Sequence, residues 1–193
     1  MRSHPTHEPA PRSGPRRRLP SLLLAAACGL AGAAPSVRAQ QIPADERSQA
    51  VAQTVYGILS FTRWPAEPET VRLCVVGPTE YADELLKAAP PPRGRAIAVR
   101  RMRLDDSQLP TECEAVYAGA LSDAAWRQLA SRLGAHPLLS IGERLELCSI
   151  GCMFCLDVRA GGVGFESNLD SVARSGVRVN PRVLQLSRRR GAP

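Results

Sequence analysis

The sequence predicts an α/β fold, a three-layer sandwich in which a mixed β-sheet carries helices on both faces and disulfides staple the layers. Three observations lead there. Strand-like and helix-like runs alternate through the first part of the folded region, as in a parallel or mixed sheet covered by helices. The later stretch "MFCLDVRAGGVGFES" (153–167) reads as strand, tight Gly161-Gly162 turn, strand, and this hairpin makes the sheet mixed. Five cysteines fall in the same region, enough for two bridges and one thiol.

Residues 1–39 stand outside that fold. "PRRRLPSLLLAAACGLAGAAPSVRA" (15–39) has a basic start at Arg16, Arg17 and Arg18, a Leu/Ala-rich run from Leu22, and the small-residue pattern Val37-Arg38-Ala39. That order is the order of a secretory signal peptide. Cleavage is expected after Ala39, with the mature chain starting at Gln40 in the periplasm. The apolar run is too short and too alanine-rich for a good membrane span. Cys28 follows three alanines, but Ala25 stands where a lipoprotein site usually has leucine; lipidation of Cys28 stays open. The arginine run lacks the full twin-arginine pattern. The expected organisation is a signal peptide over 1–39, one domain over 40–190 and a disordered tail at 191–193.

Removing the leader changes the charge. The chain has 25 basic and 18 acidic side chains, and residues 1–39 hold six arginines and Glu8. The remainder carries 19 basic and 17 acidic groups, a net of +2. Little basic excess is left for a nucleic-acid footprint, so no nucleic-acid partner is expected.

The elements can be taken in order. "ADERSQAVAQTVYGILSFTRW" (44–64) puts Val51, Val55, Ile58 or Leu59, and Thr62 on one helical stripe, ended by Pro65 and Pro68. "TVRLCVVG" (70–77) is a β-branched strand stopped by Gly77-Pro78. "TEYADELLKAA" (79–89) reads as a helix capped by Thr79. After a proline-rich loop come the strands "AIAVRRM" (96–102) and "EAVYAGA" (114–120). "LSDAAWRQLASRLG" (121–134) is the best-marked helix. Ser122 caps it, Asp123 suits its positive end, Gly134 closes it, and Leu121 with Trp126 stand at hydrophobic-staple positions. Trp126 is therefore structural. "HPLLSIG" (136–142) is a strand after Pro137, "NLDSVARSG" (168–176) a short helix, and "VRVNPRVLQLSRRR" (177–190) an extended piece, a turn and a last helix.

The stretch "CSIGCMFC" sets three cysteines, Cys148, Cys152 and Cys155, within eight residues. A structural zinc needs more close His or Cys ligands, and His136 is the only histidine after the leader. A redox Cys-x-x-Cys needs its first thiolate at a helix N-terminus; here the residues after Cys152 alternate like a strand. An oxidising compartment instead favours disulfides. Phe154, Leu156 and Val158 share one strand face, Cys152 has their parity, and Cys155 points the other way. Cys155 is thus expected to pair with Cys148 and Cys152 to remain a free, buried thiol. Cys74 and Cys113 are left to pair.

There is no G-x-S-x-G, P-loop, H-E-x-x-H or full dinucleotide fingerprint. No metal, cofactor or catalytic residue is assigned, and a protein that works by binding is expected. Two polar groups are candidates for its site. Arg63 and Trp64 lie where the first helix ends. Glu166, Asn168 and Asp170 precede a short helix, and Arg174 and Arg178 follow. The bland readings are a helix cap for Asn168 or Asp170 and a surface ion pair for Glu166 with Arg178.

Four segments carry a resemblance to a known family: "YGILSFTRWP" (56–65), "LCVVGPTEY" (73–81), "HPLLSIGE" (136–143) and "FESNLDSVARSGVRVNPRVLQLSRR" (165–189). In order and spacing they resemble the YfiR family of periplasmic proteins, over roughly residues 48–190. The resemblance implies an α/β domain that tends to dimerise and has disulfides supporting its fold. It also implies a negative regulator that binds the periplasmic sensor domain of an inner-membrane diguanylate cyclase. Such a regulator holds down cyclic di-GMP synthesis and biofilm formation, and an outer-membrane lipoprotein often sequesters it. The chain departs from the commoner pattern at Ser167 and at Cys152, which leaves intermolecular pairing open. The competing classes are a periplasmic small-molecule-binding protein and a thiol oxidoreductase.

Overall fold

The computed structural model describes residues 43–87, 94–134 and 136–188. The expected signal peptide, its cleavage site and the expected tail at 191–193 lie outside the described residues. The elements run α1 (Ala44–Ser60), β1 (Thr62–Arg63), β2 (Thr70–Val76), α2 (Asp83–Leu86), β3 (Ala96–Met102), α3 (Leu109–Glu112), β4 (Ala115–Ala118), α4 (Asp123–Leu133) and β5 (Leu139–Gly142). A 3-10 turn (Leu145–Ile150) leads to β6 (Phe154–Arg159), β7 (Gly162–Ser167), α5 (Leu169–Arg174) and β8 (Arg178–Val179). A second 3-10 turn (Pro181–Val183) and α6 (Leu184–Arg188) complete the order.

The main sheet has the order β3-β2-β4-β5-β6-β7. Its first five strands are parallel and β7 runs antiparallel to β6. The fold is thus the mixed α/β sandwich the sequence predicts. β1 and β8 form a separate antiparallel ribbon in which Arg63 lies opposite Arg178.

Alternation along the strands explains the three layers. Successive side chains of a strand point to opposite faces, and here both faces are apolar. Leu73 and Val75 of β2 join a core that includes Val51, Val55 and Ile58 of α1. Cys74 and Val76 join a second core with Trp126 and Leu129 of α4. β4 divides likewise, with Ala115 and Tyr117 on the α1 side and Val116 and Ala118 on the α4 side. A strand buried on both faces reads as a continuous apolar run, as "AVYA" does.

Helix α4 forms as its signals require. The Ser122 hydroxyl oxygen accepts from the Ala125 amide at 3.2 Å, and Leu121 and Trp126 are both buried in the second core. Gly134 ends the helix in an ordinary right-handed conformation, φ −61°.

Four local expectations change. α1 ends at Ser60, before its prolines, and Thr62 starts β1 with its hydroxyl donating back to the Ile58 carbonyl. Of the helix expected over 79–89, the described residues form only the four of α2, and 88–89 lie outside the described residues. Gly77 turns the chain at φ +74°, and the Thr79 hydroxyl accepts from Arg101 instead of capping a helix. The hairpin turn is Ala160-Gly161, one position early, because Arg159 pairs with Gly162. Both disulfides form as expected, Cys74–Cys113 and Cys148–Cys155, with Cys152 free and buried. The parity behind that assignment is different, however. Cys152 sits in the second core beside Cys155, and Met153 and Phe154 both face the first core. β6 begins only at Phe154, so strict alternation does not extend back to Cys152.

Candidate functional site

In an open parallel sheet, ligands enter where the strand order reverses, at the carboxyl ends of the strands. Here that point lies between β2 and β4, and the protein fills it itself. The Gly119 amide donates to the Val76 carbonyl at 3.0 Å, and the Ala120 amide to the Pro78 carbonyl at 2.7 Å. A Cβ at Gly119 would lie 1.9 Å from the Pro78 oxygen, so no other residue permits this approach. Glu143, just past β5, closes the rest. Its carboxylate accepts from the amides of Glu80 and Tyr81, at 3.0 Å each for the shorter contacts, and from the Tyr117 hydroxyl at 2.8 Å. Burial, and next the neighbouring Glu143 charge, push the Tyr117 phenol far above its ordinary range.

The two staples and the free thiol all belong to the α4 face. Beside Cys74–Cys113 lies an ionic lattice. Arg72 grips Glu114 through Nε at 3.0 Å and Nη2 at 2.6 Å, and Glu112 accepts from Arg100 at 2.9 Å. The hydrogen bond to Glu114 is the main reason the Arg72 guanidinium is held charged more firmly than usual. Cys152 is fully enclosed, and its burial pushes the thiol up to about 12. The thiolate form is therefore disfavoured, the opposite of a reactive cysteine. Among the described residues no group of three or more His, Cys, Asp or Glu is arranged so that it could hold a metal ion.

A raised thiol pKa has a defined effect on stability. The folded state holds the Cys152 thiol and Tyr117 phenol protonated, so their contribution is intact below the unfolded values. For Cys152 it is lost as pH rises from about 9, the ordinary thiol value, toward about 12. Relative to its parent, Cys152→Ala gains stability as pH rises from 9 to 11. Urea melts across that range test this, and parallel curves for the two proteins would refute it.

The seven residues singled out from sequence fall into different places. Arg63 and Arg178 come together across the β1–β8 ribbon. Arg63 folds back, its Nη1 donating to the carbonyls of Ser60 at 3.0 Å and Thr62 at 2.8 Å. A cation there complements the end of α1. Arg178 is exposed and makes no side-chain hydrogen bond or ion pair among the described residues. Trp64 is buried, and its indole donates to the Glu114 carbonyl at 2.9 Å; it packs the core. Asn168 caps α5, accepting from the Ser171 amide at 2.8 Å and donating to the Cys148 carbonyl at 2.7 Å. Such a cap is worth about 1 kcal/mol, and here it also ties α5 to the second staple. Glu166 is exposed on β7 and forms no ion pair with Arg178 among the described residues. Asp170 and Arg174 face each other along α5 at 3.9 Å. Sequence reasoning passed over Glu143, Tyr117 and the Arg72–Glu114 pair. Only the last had a local cue, opposite charges flanking two cysteines.

Fold, staples and a filled crevice together define an oxidised α/β domain whose charged candidates, Arg63, Glu166, Asp170, Arg174 and Arg178, lie on its surface. The YfiR/HmsC-like family profile matches residues 48–188, and the chain belongs to that family. That family is one of periplasmic regulators in diguanylate cyclase signalling. No helix among the described residues is long and apolar enough to cross a membrane. Among solved structures, the chain is similar to a conserved domain protein of Vibrio cholerae O1 biovar eltor. The identity is 14% and the TM-score 0.49, over 74% of this chain and 59% of that one. It is also similar to MppP, in a structure soaked with the product 2-ketoarginine, at 15% identity and TM-score 0.37. That match covers 78% of this chain and 56% of the other. At that likeness neither informs function.

Proposed function

We propose that the protein is a periplasmic repressor. It binds the periplasmic sensor domain of an inner-membrane diguanylate cyclase and lowers cyclic di-GMP synthesis and biofilm formation. The observation that carries this reading is the family match along nearly the whole described domain. The mechanism is a population shift: a regulator that binds the inactive cyclase better than the active one draws the equilibrium toward it, by no more than the difference in affinity. Arg178 supports a contact role, since it is exposed, without a side-chain partner among the described residues, and set beside a second arginine. An unpartnered guanidinium can make bidentate bonds to a carboxylate of a partner. The active form is proposed to be an oxidised homodimer, and sequestration by an outer-membrane lipoprotein is the proposed route of release.

Deleting the gene should raise cyclic di-GMP in a strain that expresses the cognate cyclase. Complementation with Arg178→Ala should restore wild-type protein levels and melting but not full repression. Unchanged cyclic di-GMP on deletion rejects the repressor. A stable Arg178→Ala variant that represses fully rejects the role of that residue alone.

A further inference from the structure

A groove of about 550 Å³ runs between α4 and α5, and none of its lining residues belongs to the filled crevice or to the β1–β8 ribbon. Its floor is apolar: Trp126, Leu133, Leu138 and Met153 line it, and none is more than 5% exposed. Among the described residues His136 and Arg174 are its ionisable groups, and no acidic side chain lines it. Arg174 is only loosely engaged. Its contact with Asp170 is 3.9 Å long, with side chains 72% and 88% exposed, and such a pair contributes little. The size falls in the range of small-molecule clefts, which combine an apolar lining with a few placed polar groups.

We infer that this groove binds a small amphipathic carboxylate, its apolar body on the Trp126–Met153 floor and its head on Arg174. The charge pattern selects the class. An apolar body alone gains from the floor, a cation meets only like charge, and an anion finds a guanidinium without a strong competitor. The site goes beyond the repressor reading and does not depend on it. It also touches the second staple. Gly151 and Met153, which line the groove, lie inside the loop closed by Cys148–Cys155, so opening that loop disturbs the floor.

Octanoate is the probe, with octanol as its uncharged counterpart, titrated into the oxidised full chain. Binding should be saturable. In NMR spectra the Trp126 indole N–H and the Gly151 amide should shift, while the Trp64 indole, which donates to Glu114, stays in place. Arg174→Gln should weaken octanoate about tenfold, the loss of one charge-assisted hydrogen bond, and leave octanol unchanged. Ala130→Phe, which fills the groove, should abolish both. If Ala130→Phe does not fold, the exposed Arg174→Gln still decides. No octanoate binding at millimolar concentration, or octanoate binding indifferent to Arg174→Gln, overturns the inference. So does capture of an apolar peptide with a free C-terminus in preference to octanoate, which would make the groove a chain-end site.

Discussion

A chain carrying Cys74→Ala with Cys113→Ala should lose about 3–4 kcal/mol of unfolding free energy. The bridge closes a loop with a sequence separation of 39 and joins the middle of β2 to the segment before β4. Without it, the unfolded chain recovers the entropy of that long loop. The Cys148–Cys155 pair spans a separation of only 7, so its replacement by alanines should cost less, about 2.5 kcal/mol on the same chain-entropy reasoning. Alanine is the better substituent because no unpaired partner is left to exchange with Cys152. Urea denaturation of the two double variants gives the comparison. Equal losses would sink the loop-length account. A loss of about 3–4 kcal/mol is a large share of a domain's usual 5–15 kcal/mol. In the cell the first variant should therefore fall in abundance and behave like a deletion, with raised cyclic di-GMP. The oxidised active form proposed above has the same origin: reduction should relieve repression by unfolding the regulator, with no need for a dedicated sensing thiol.

Glu143→Ala should cost about 2–3 kcal/mol, because it orphans three donors at once. The amides of Glu80 and Tyr81 and the Tyr117 hydroxyl all end on that carboxylate. Tyr117 is fully buried, so its hydroxyl has the least access to water as a substitute. Adding Tyr117→Phe to Glu143→Ala should recover part of the loss by removing the orphan, and a double-mutant cycle measures the coupling. Additive effects would mean that the Tyr117–Glu143 bond contributes nothing of its own.

The two cases differ in what a sequence can display. The strands could be read because burial on both faces leaves runs such as "LCVV" and "AVYA" without polar interruption. α4 could be read because its cap, staple and charge signals lie within six residues, Leu121 to Trp126. The staples could be read because cysteines are few. Glu143 could not, since two of its partners are backbone amides 62 and 63 residues earlier, and every residue but proline has an amide N–H. Trp64 misled for a similar reason. Its acceptor is a carbonyl 50 residues away, so a tryptophan beside an arginine at a helix end looked like surface. The face of Cys152 was missed because alternation fails one residue before β6 starts. Of the candidate site, the pairing of Arg63 with Arg178 joins two segments far apart in the chain. Only the unforeseen β1–β8 ribbon brings them together.

Cys152 stands between the two cysteines that bridge. In a reduced, unfolded chain Cys148 meets Cys152 at a separation of 4 and Cys155 at 7, and Cys152 meets Cys155 at 3. Ring closure is entropically cheaper for nearer partners, so oxidation should first trap mispaired loops. The Cys155 thiolate then attacks the Cys148 sulfur of a Cys148–Cys152 bridge, and Cys152 departs as a thiolate. Packing makes this exchange one-way. Once the core closes over it, Cys152 takes up a proton and leaves the reach of solvent. The reverse attack then lacks its nucleophile, and folding becomes a ratchet on thiol exchange. Acid-quenched oxidative refolding should show a trapped isomer in the parent that is missing in Cys152→Ala. If both proteins pass through the same species at the same rate, the middle cysteine is a bystander and the ratchet does not turn.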